Sequence, residues 1–151
     1  MPRKYERPTF LLSRVTQEKY ERWLRRKAQA HVKRDRQRGN KTARGEAYRD
    51  EIHSAVLKSG GLDAYTGDEL DWERISCWNN DLSQENKYLY KQKFALLPTV
   101  DHVRDGKGPV HFQICGWRTN DAKNDLALPD FLKLCQTVLE HHGYGVFKGR
   151  R

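Results

Sequence analysis

The sequence lacks the features that would place it in or across a membrane. No uninterrupted apolar run comes near the roughly 18 residues that span a bilayer. The N-terminal stretch from Met1 to Lys4 also lacks the apolar segment of a signal peptide. We therefore expect a cytoplasmic protein.

Cysteine is scarce as well, with three residues in a chain of 151. Cys77, Cys115 and Cys135 are widely spaced, and no two of them form a C-x-x-C pair. Disulfide frameworks usually use an even number of cysteines, and thiolate zinc sites use closely spaced pairs. We therefore predict neither, and interpret all three as reduced core residues.

The net charge of +9 is concentrated in the first third of the chain. Residues 1–50 contain 16 Lys and Arg against 6 Asp and Glu, whereas residues 51–151 contain 13 against 14. Because neutralising phosphates releases counterions, such a segment binds polyanions with sequence-independent affinity. The alternative is a solvated helix that is rich in Lys and Arg.

Two helices are predicted in this basic segment. The first begins after Thr16, a suitable N-cap, and the second ends at Gly60 and Gly61, which suit a C-cap. The apolar stripe of the first helix, which we expect to pack in the core, comprises Tyr20, Trp23, Leu24, Ala28 and Val32. Its basic face supplies the candidate nucleic-acid contacts, namely Arg22, Arg25, Arg26, Lys33 and Arg34.

The rest of the chain predicts short strands between helices, which is typical of an α+β protein. A helix is expected from about residue 83 to 93. Extended segments at 94–103 and 110–115, joined by a turn at 105–109, predict a β-hairpin. Thr119 is then predicted to cap a short helix. The final helix should open at Pro129, with an apolar stripe of Phe131, Leu134, Cys135, Val138 and Leu139.

Asp101, His102 and Asn120 lie where the first strand of this hairpin ends and where the short helix begins. Carboxylate and amide oxygens are hard ligands that Mg²⁺ accepts, with waters filling its other positions. A neutral imidazole beside them can take a proton from water near pH 7. The three residues are therefore a candidate site for hydrolysing a phosphodiester.

Residues 62 to about 126 resemble the HNH, or ββα-metal, nucleases. Val100-Asp101-His102-Val103 is similar to the strand that carries the D-H or H-H pair of that family. The run from Asn120 to Lys123 is similar to the N-x-x-K form in the HNH domain of CRISPR effector nucleases. The resemblance implies a ββα-metal core within 62–145. A basic helical region (1–61) would precede this core, and a C-terminal helix and a basic tail (146–151) would complete the chain.

The resemblance also implies roles for individual residues. Asp101 and Asn120 would ligate Mg²⁺ or Mn²⁺, and His102 would be the general base that activates water. The metal would stabilise the charge on the scissile phosphate and help the 3′ oxygen to leave. Lys123 would either face the phosphate or be a solvated helix lysine.

One departure from the family pattern is His111, nine residues before Asn120, where the family has an Asn that braces the loop of the catalytic histidine. An imidazole still donates one hydrogen bond, so His111 is a candidate for the same catalytic support. The alternatives are a ring that packs or faces solvent, and a third metal ligand. We interpret the other histidines as structural: His31, His53, His141 and His142.

The second departure concerns zinc. Many relatives carry two cysteine pairs that clamp the fold, and the corresponding positions here are Asp63, Thr66, Gly116 and Thr119. Because such a site needs thiolates or imidazoles, we expect no structural zinc and predict that packing holds the core instead. The side chains expected to do so are Trp72, Trp78, Phe94, Phe112 and Trp117.

The leading interpretation is an endonuclease that cuts double-stranded DNA and uses its basic N-terminal half to hold the backbone. One such site per chain would favour a homodimer or sequential nicks if both strands are cut. The first alternative is a catalytically inactive nucleic-acid-binding module with an HNH-like fold. The second is a small basic RNA-binding or ribosome-associated protein.

Overall fold

The computed structural model describes residues 2–76, 87–103 and 110–149, and in these ranges the chain is an α+β protein, as predicted. The described elements are two strands in one antiparallel sheet, five α-helices and two short 3₁₀ helices, Thr9–Leu11 and Trp72–Arg74. The strands are β1 (Pro98–His102) and β2 (Phe112–Gly116). The helices are α1 (Gln17–Gln37), α2 (Gly45–Ser59), α3 (Lys87–Lys93), α4 (Trp117–Lys123) and α5 (Leu128–His141). None of these helices is long and apolar enough to cross a membrane.

Helix α1 begins as its sequence predicts. The side chain of Thr16 accepts a hydrogen bond from the backbone N–H of Lys19 at 3.2 Å, which satisfies a donor that has no partner within the helix. The apolar stripe of α1 is buried throughout, so the expectation that these aromatic residues pack in the core is confirmed. The lysines and arginines of α1 are exposed, except for the half-buried Lys27.

Helix α2 packs against both α1 and β2. It ends at Gly60, whose φ of +60° is a left-handed conformation that suits glycine, as the sequence indicated. One buried apolar cluster contains residues from α1 and α2 together with Val100 of β1 and Ile114 of β2. The N-terminal helices therefore serve as scaffold for the hairpin, and the ranges 1–61 and 62–145 share a single core.

The hairpin is shorter than its apolar pattern suggested. Strand β1 begins at Pro98 rather than at Phe94, because residues 94–97 form a turn that continues from α3. In the register of the sheet, Asp101 lies opposite Gln113 and His102 lies opposite Phe112. The predicted start of the helix at 83–86 and the turn at 105–109 lie outside the described residues.

The predicted cap of the short helix is wrong. Helix α4 follows β2 without a loop, so Gly116, with extended backbone angles, occupies the N-cap position. Thr119 lies within the helix, and its hydroxyl donates to the Asp63 carboxylate at 2.8 Å. A long-range hydrogen bond therefore outweighs the local preference of threonine for a cap.

Asp63 is one of the four positions at which the resemblance would have suggested zinc ligands, and its carboxylate contacts the other three. Its Oδ2 accepts from the Gly116 N–H and the Thr119 hydroxyl, both at 2.8 Å. Its Oδ1 accepts from the N–H groups of Tyr65 at 2.8 Å and Thr66 at 3.2 Å. Asp63 is only 2% exposed, so its charge is compensated almost entirely by these donors. One carboxylate thus ties the turn at 63–68 to the start of α4.

Other packing residues follow the sequence prediction. Trp72, Phe94 and Phe112 are buried, Trp117 is half-buried, and Trp78 lies outside the described residues. Helix α5 has Pro129 in its first turn, as predicted, but no residue of it is buried. Its apolar stripe is therefore on the surface, with Phe131 and Cys135 the more sheltered members.

Replacing Asp63 with alanine should destabilise the protein by about 3 kcal/mol, since four donors around it, one of them a buried N–H, lose a charged acceptor. For a chain of this length, that corresponds to a fall in Tm of roughly 6–12 °C. Asp68→Ala is the matched control, because Asp68 is exposed in the same turn. Thermal unfolding followed by circular dichroism checks both variants, and equal Tm values for the two would contradict the central role of Asp63.

Candidate active site

Asp101, His102 and Asn120 line the same cavity, which has a volume of about 760 Å³. The cavity opens where β1 ends, between α4 and the C-terminal end of α1. Two basic residues, Arg34 of α1 and Arg38 just after it, also line its wall. The structure therefore brings the three candidate residues together, although Asn120 is separated from Asp101 by 19 positions in the sequence.

Neighbouring side chains of a strand point to opposite faces of the sheet, so Asp101 and His102 contact different elements. Asp101 contacts α4 and the turn at 63–68, whereas His102 contacts α1 and β2. Both reach the cavity because they lie at the end of β1. The strand end thus presents a carboxylate and an imidazole to one space.

Asp101 is 5% exposed and forms a buried ion pair with Lys123, whose Nζ lies 3.0 Å from Asp101 Oδ2. The same oxygen accepts a hydrogen bond from the Tyr65 hydroxyl. Burial, together with this bond to Asp101, raises the pKa of Tyr65 above its usual value, so the phenol stays protonated as the donor. Lys123 itself is 4% exposed, so the interpretation of Lys123 as a solvated helix lysine is wrong.

His102 is held by a buried carboxylate that lies far away in the sequence. Its Nε2 is 2.9 Å from Oδ2 of Asp35, which lies in α1 and is fully buried. The Tyr48 hydroxyl of α2 donates to the same oxygen. The edge of the His102 ring meets Phe112, with ring centroids 5.0 Å apart. The hydrogen bond to Asp35 and the packing against Phe112 therefore both hold the imidazole in place.

Sequence reasoning missed Asp35, Tyr65 and Arg38. A signal for Asp35 does exist, because it falls on the buried stripe of α1, one turn after His31 and amid basic residues. An acid on the apolar face of an amphipathic helix indicates a buried partner. Tyr65 and Arg38 had no comparable signal, since a tyrosine in a turn and an arginine after a helix are ordinary surface residues.

His31 lies beside this group as a neutral residue. It is 4% exposed, with its ring 5.0 Å from Phe112 and 6.0 Å from His102 between centroids. Burial lowers the pKa of His31 to about 3, and the nearby Arg34 adds to this effect. His31 Nδ1 and Asp35 Oδ1 are buried with no hydrogen-bond partner among the described residues.

His111 is exposed just before β2. Its backbone carbonyl accepts a hydrogen bond from the Val103 N–H at 2.9 Å, which extends the pairing of the hairpin beyond β1. The exposure of His111 agrees with one of the alternatives given by the sequence, in which its ring faces solvent. A catalytic or metal-binding role for that ring remains a prediction.

The candidate nucleic-acid contacts on α1 are all exposed: Arg22, Arg25, Arg26, Lys33 and Arg34. The Arg26 guanidinium also donates to the Ile75 carbonyl at 2.8 Å, so part of its bonding capacity serves the fold. Lys27, on the same helix, is half-buried with its Nζ 3.1 Å from the Thr99 hydroxyl. Burial, and then the neighbouring Arg26, lower the pKa of Lys27 to about 8.

The donor set of the cavity suits a hard divalent cation. Within the described residues, the hydrogen bond and the ion pair of the Asp101 carboxylate both use Oδ2, and Oδ1 makes neither. No group of three or more His, Cys, Asp or Glu side chains in residues 2–76, 87–103 and 110–149 is arranged to hold an ion. A magnesium site of one carboxylate, one amide oxygen and waters does not need such a group.

Comparison of the chain with protein-family models, with curated proteins and with solved structures found no match. Function is therefore inferred from the chemistry of the site itself.

Folding stability should decrease as the pH falls from about 6.5 towards 3, because His31 protonates readily only in the unfolded chain. In this window the unfolded state binds more protons, which costs up to about 1.4 kcal/mol of stability per pH unit. His31→Gln should make this decline shallower. Urea unfolding between about pH 7 and pH 5 checks the slope. The exposed His142→Gln variant should keep the wild-type slope, and an unchanged slope in His31→Gln would refute the prediction.

Proposed function

We propose that this protein is a divalent-metal-dependent endonuclease that hydrolyses DNA phosphodiester bonds with a single HNH-type metal site. The observation that carries the proposal is the meeting of Asp101, His102 and Asn120 in one cavity whose wall includes Arg34 and Arg38. A carboxylate, an imidazole, an amide oxygen and two guanidinium groups provide metal ligands, a base and phosphate contacts in one place.

The order of elements supports the same proposal. An antiparallel hairpin leads without a loop into α4, which packs across both strands. The ββα-metal core has this order, with a ligand at the end of the first strand and another on the helix. Asp101 and Asn120 occupy those two positions here.

In the proposed mechanism, Asp101 and Asn120 hold Mg²⁺ or Mn²⁺. When bound, the ion supplies Lewis-acid stabilisation of the charge on the phosphate and on the departing 3′ oxygen. His102 takes a proton from the attacking water, and Arg34 and Arg38 bind the non-bridging phosphate oxygens. Oδ1 of Asp101 makes no hydrogen bond or ion pair within the described residues, which supports the assignment of Asp101 as a metal ligand.

The exposed arginines of α1 support DNA as the substrate. Besides Arg34, further exposed arginines lie on the same helix, at Arg22, Arg25 and Arg26, and this positive charge adds sequence-independent attraction for a polyanion. Cutting both strands of a duplex would need a second site, which favours a homodimer or two successive nicks.

A second candidate function, DNA binding by a catalytically inactive nuclease fold, is favoured by one observation. The ammonium of Lys123, 3.0 Å from Asp101, already supplies the positive charge that a metal would bring to that carboxylate. Both side chains are almost completely buried, so the pair is not screened by solvent. In that case the basic face of α1 would bind DNA and no bond would be cut.

Plasmid cleavage distinguishes these two candidates. With Mg²⁺ or Mn²⁺ the protein should nick or linearise plasmid DNA, and His102→Ala should reduce the rate by about 100-fold or more because the base is lost. His141→Ala, at an exposed histidine on α5, is the matched control and should retain wild-type activity. Absence of cleavage, or equal rates for the two variants, would exclude the proposed enzyme.

Lys123→Met tests the metal site without any measurement of activity. Without metal, this variant leaves the Asp101 carboxylate buried without a cation, at a cost of about 3–5 kcal/mol. A divalent ion that binds Asp101 restores the missing charge, so Mn²⁺ should raise the Tm of Lys123→Met more than that of the wild type.

Lys133→Met, at an exposed lysine of α5, is the control for the change of residue type and should respond to Mn²⁺ as the wild type does. Thermal unfolding in EDTA and in excess Mn²⁺ provides the comparison. If Mn²⁺ leaves the Tm of Lys123→Met unchanged, Asp101 does not bind the ion and the inactive nuclease fold is favoured.

A further inference from the structure

Asp35 is a fully buried carboxylate outside the segment that resembles a nuclease. Burying a charge in a core is costly unless a partner compensates it. In the described part of the chain, Oδ2 of Asp35 is met by the Tyr48 hydroxyl and by the His102 imidazole, with 2.9 Å between Oδ2 and Nε2. A core position on α1 that needs only packing would be better filled by an apolar residue.

We propose that Asp35 is a positioning residue that sets the orientation and the tautomer of the His102 imidazole. The proposal rests on the proposed function, because His102 is the base in that reaction. An ionised carboxylate can only accept hydrogen bonds, so Nε2 carries the proton of this bond. The ring is thereby held in one tautomer and in one rotation about its Cβ–Cγ bond.

Asp35 is itself held from two sides. Its backbone belongs to α1, and the Tyr48 hydroxyl of α2 donates to the same Oδ2 that contacts His102. Burial raises the pKa of Tyr48, which keeps this phenol a donor. The neighbouring His31 is neutral, since its pKa is lowered to about 3, and therefore adds no competing charge. The direction of the Asp35–His102 bond is thus set by two helices.

Aromatic packing alone would leave the orientation of His102 incompletely defined. The Phe112 ring packs against the His102 ring at an interplanar angle of 69°, and the His31 ring lies 6.0 Å away between centroids. A His102 ring turned by 180° about its Cβ–Cγ bond would retain both contacts. The hydrogen bond to Asp35, by contrast, differs between the two ring orientations, because it needs Nε2 on the side of α1. Removal of a carboxylate that orients a metal-ligating histidine typically costs about 10- to 100-fold in activity, and we expect a loss of at least this order for a carboxylate that orients a base.

Asp35→Asn is the most informative variant. It keeps the size of the side chain, but an amide can donate or accept and so no longer dictates the tautomer of His102. In the wild type, the Nε2 proton of His102 should give a slowly exchanging, downfield NMR resonance, assigned by its loss in His102→Gln. Asp35→Asn should shift or remove this resonance. In cleavage assays it should lower kcat by about 10- to 100-fold with little change in KM.

Two further variants complete the test. Asp35→Leu, in which an apolar residue replaces the buried charge, should lose the resonance altogether and covers the case in which Asp35→Asn does not fold. Asp68→Asn, at an exposed aspartate, should match the wild type in both measurements. A purely structural Asp35 would leave kcat unaffected in Asp35→Asn.

The two readouts separate this proposal from the proposed function. If the resonance and kcat of a folded Asp35→Asn variant equal those of the wild type, the positioning role is overturned although the enzyme is real. If the wild type cuts no DNA, the proposed function fails. The NMR measurement still tests the positioning role in that case: a His102 resonance that is unchanged in the folded Asp35 variants would overturn it.

Discussion

Three carboxylates lie buried in the described part of this small core, and each is stable there only because donors from distant segments converge on it. Asp63 joins the turn at 63–68 to the start of α4. Asp101 joins β1 to the end of α4 through Lys123, and Asp35 joins α1 and α2 to β1. Compensation of these three charges therefore ties α1, α2 and α4 to the hairpin.

The candidate site follows from the same constraint. Two of the three carboxylates, Asp35 and Asp101, lie on either side of the end of β1, and the cavity opens between the elements that they hold. Because His102 is tied to Asp35 on α1, the N-terminal helices belong to the site as well as to the basic surface. A nuclease core of this type would thus depend on Asp35, which lies 67 residues before His102 in the chain.

The buried pair of Asp101 and Lys123 makes the site compatible with two electrostatic states. With Lys123 in place the carboxylate is neutralised internally, and with a divalent ion it would be neutralised from the cavity. If the ion replaced the ammonium instead of binding beside it at the other carboxylate oxygen, the lysine would have to leave a nearly dry position, which costs desolvation of whichever charge remains unpaired.

The sequence by itself determined the local features. Helical periodicity and capping chemistry located α1 from Thr16, the end of α2 at Gly60 and the opening of α5, because each signal involves residues within a turn or two of one another. It also identified Asp101 and Asn120 as a candidate pair through a short motif. Only the tertiary structure revealed the partners: Asp35 lies 67 residues from His102, and no local pattern specifies which buried acid meets which base. Periodicity records which face of an element is buried, whereas the contact across the core depends on how separate elements pack.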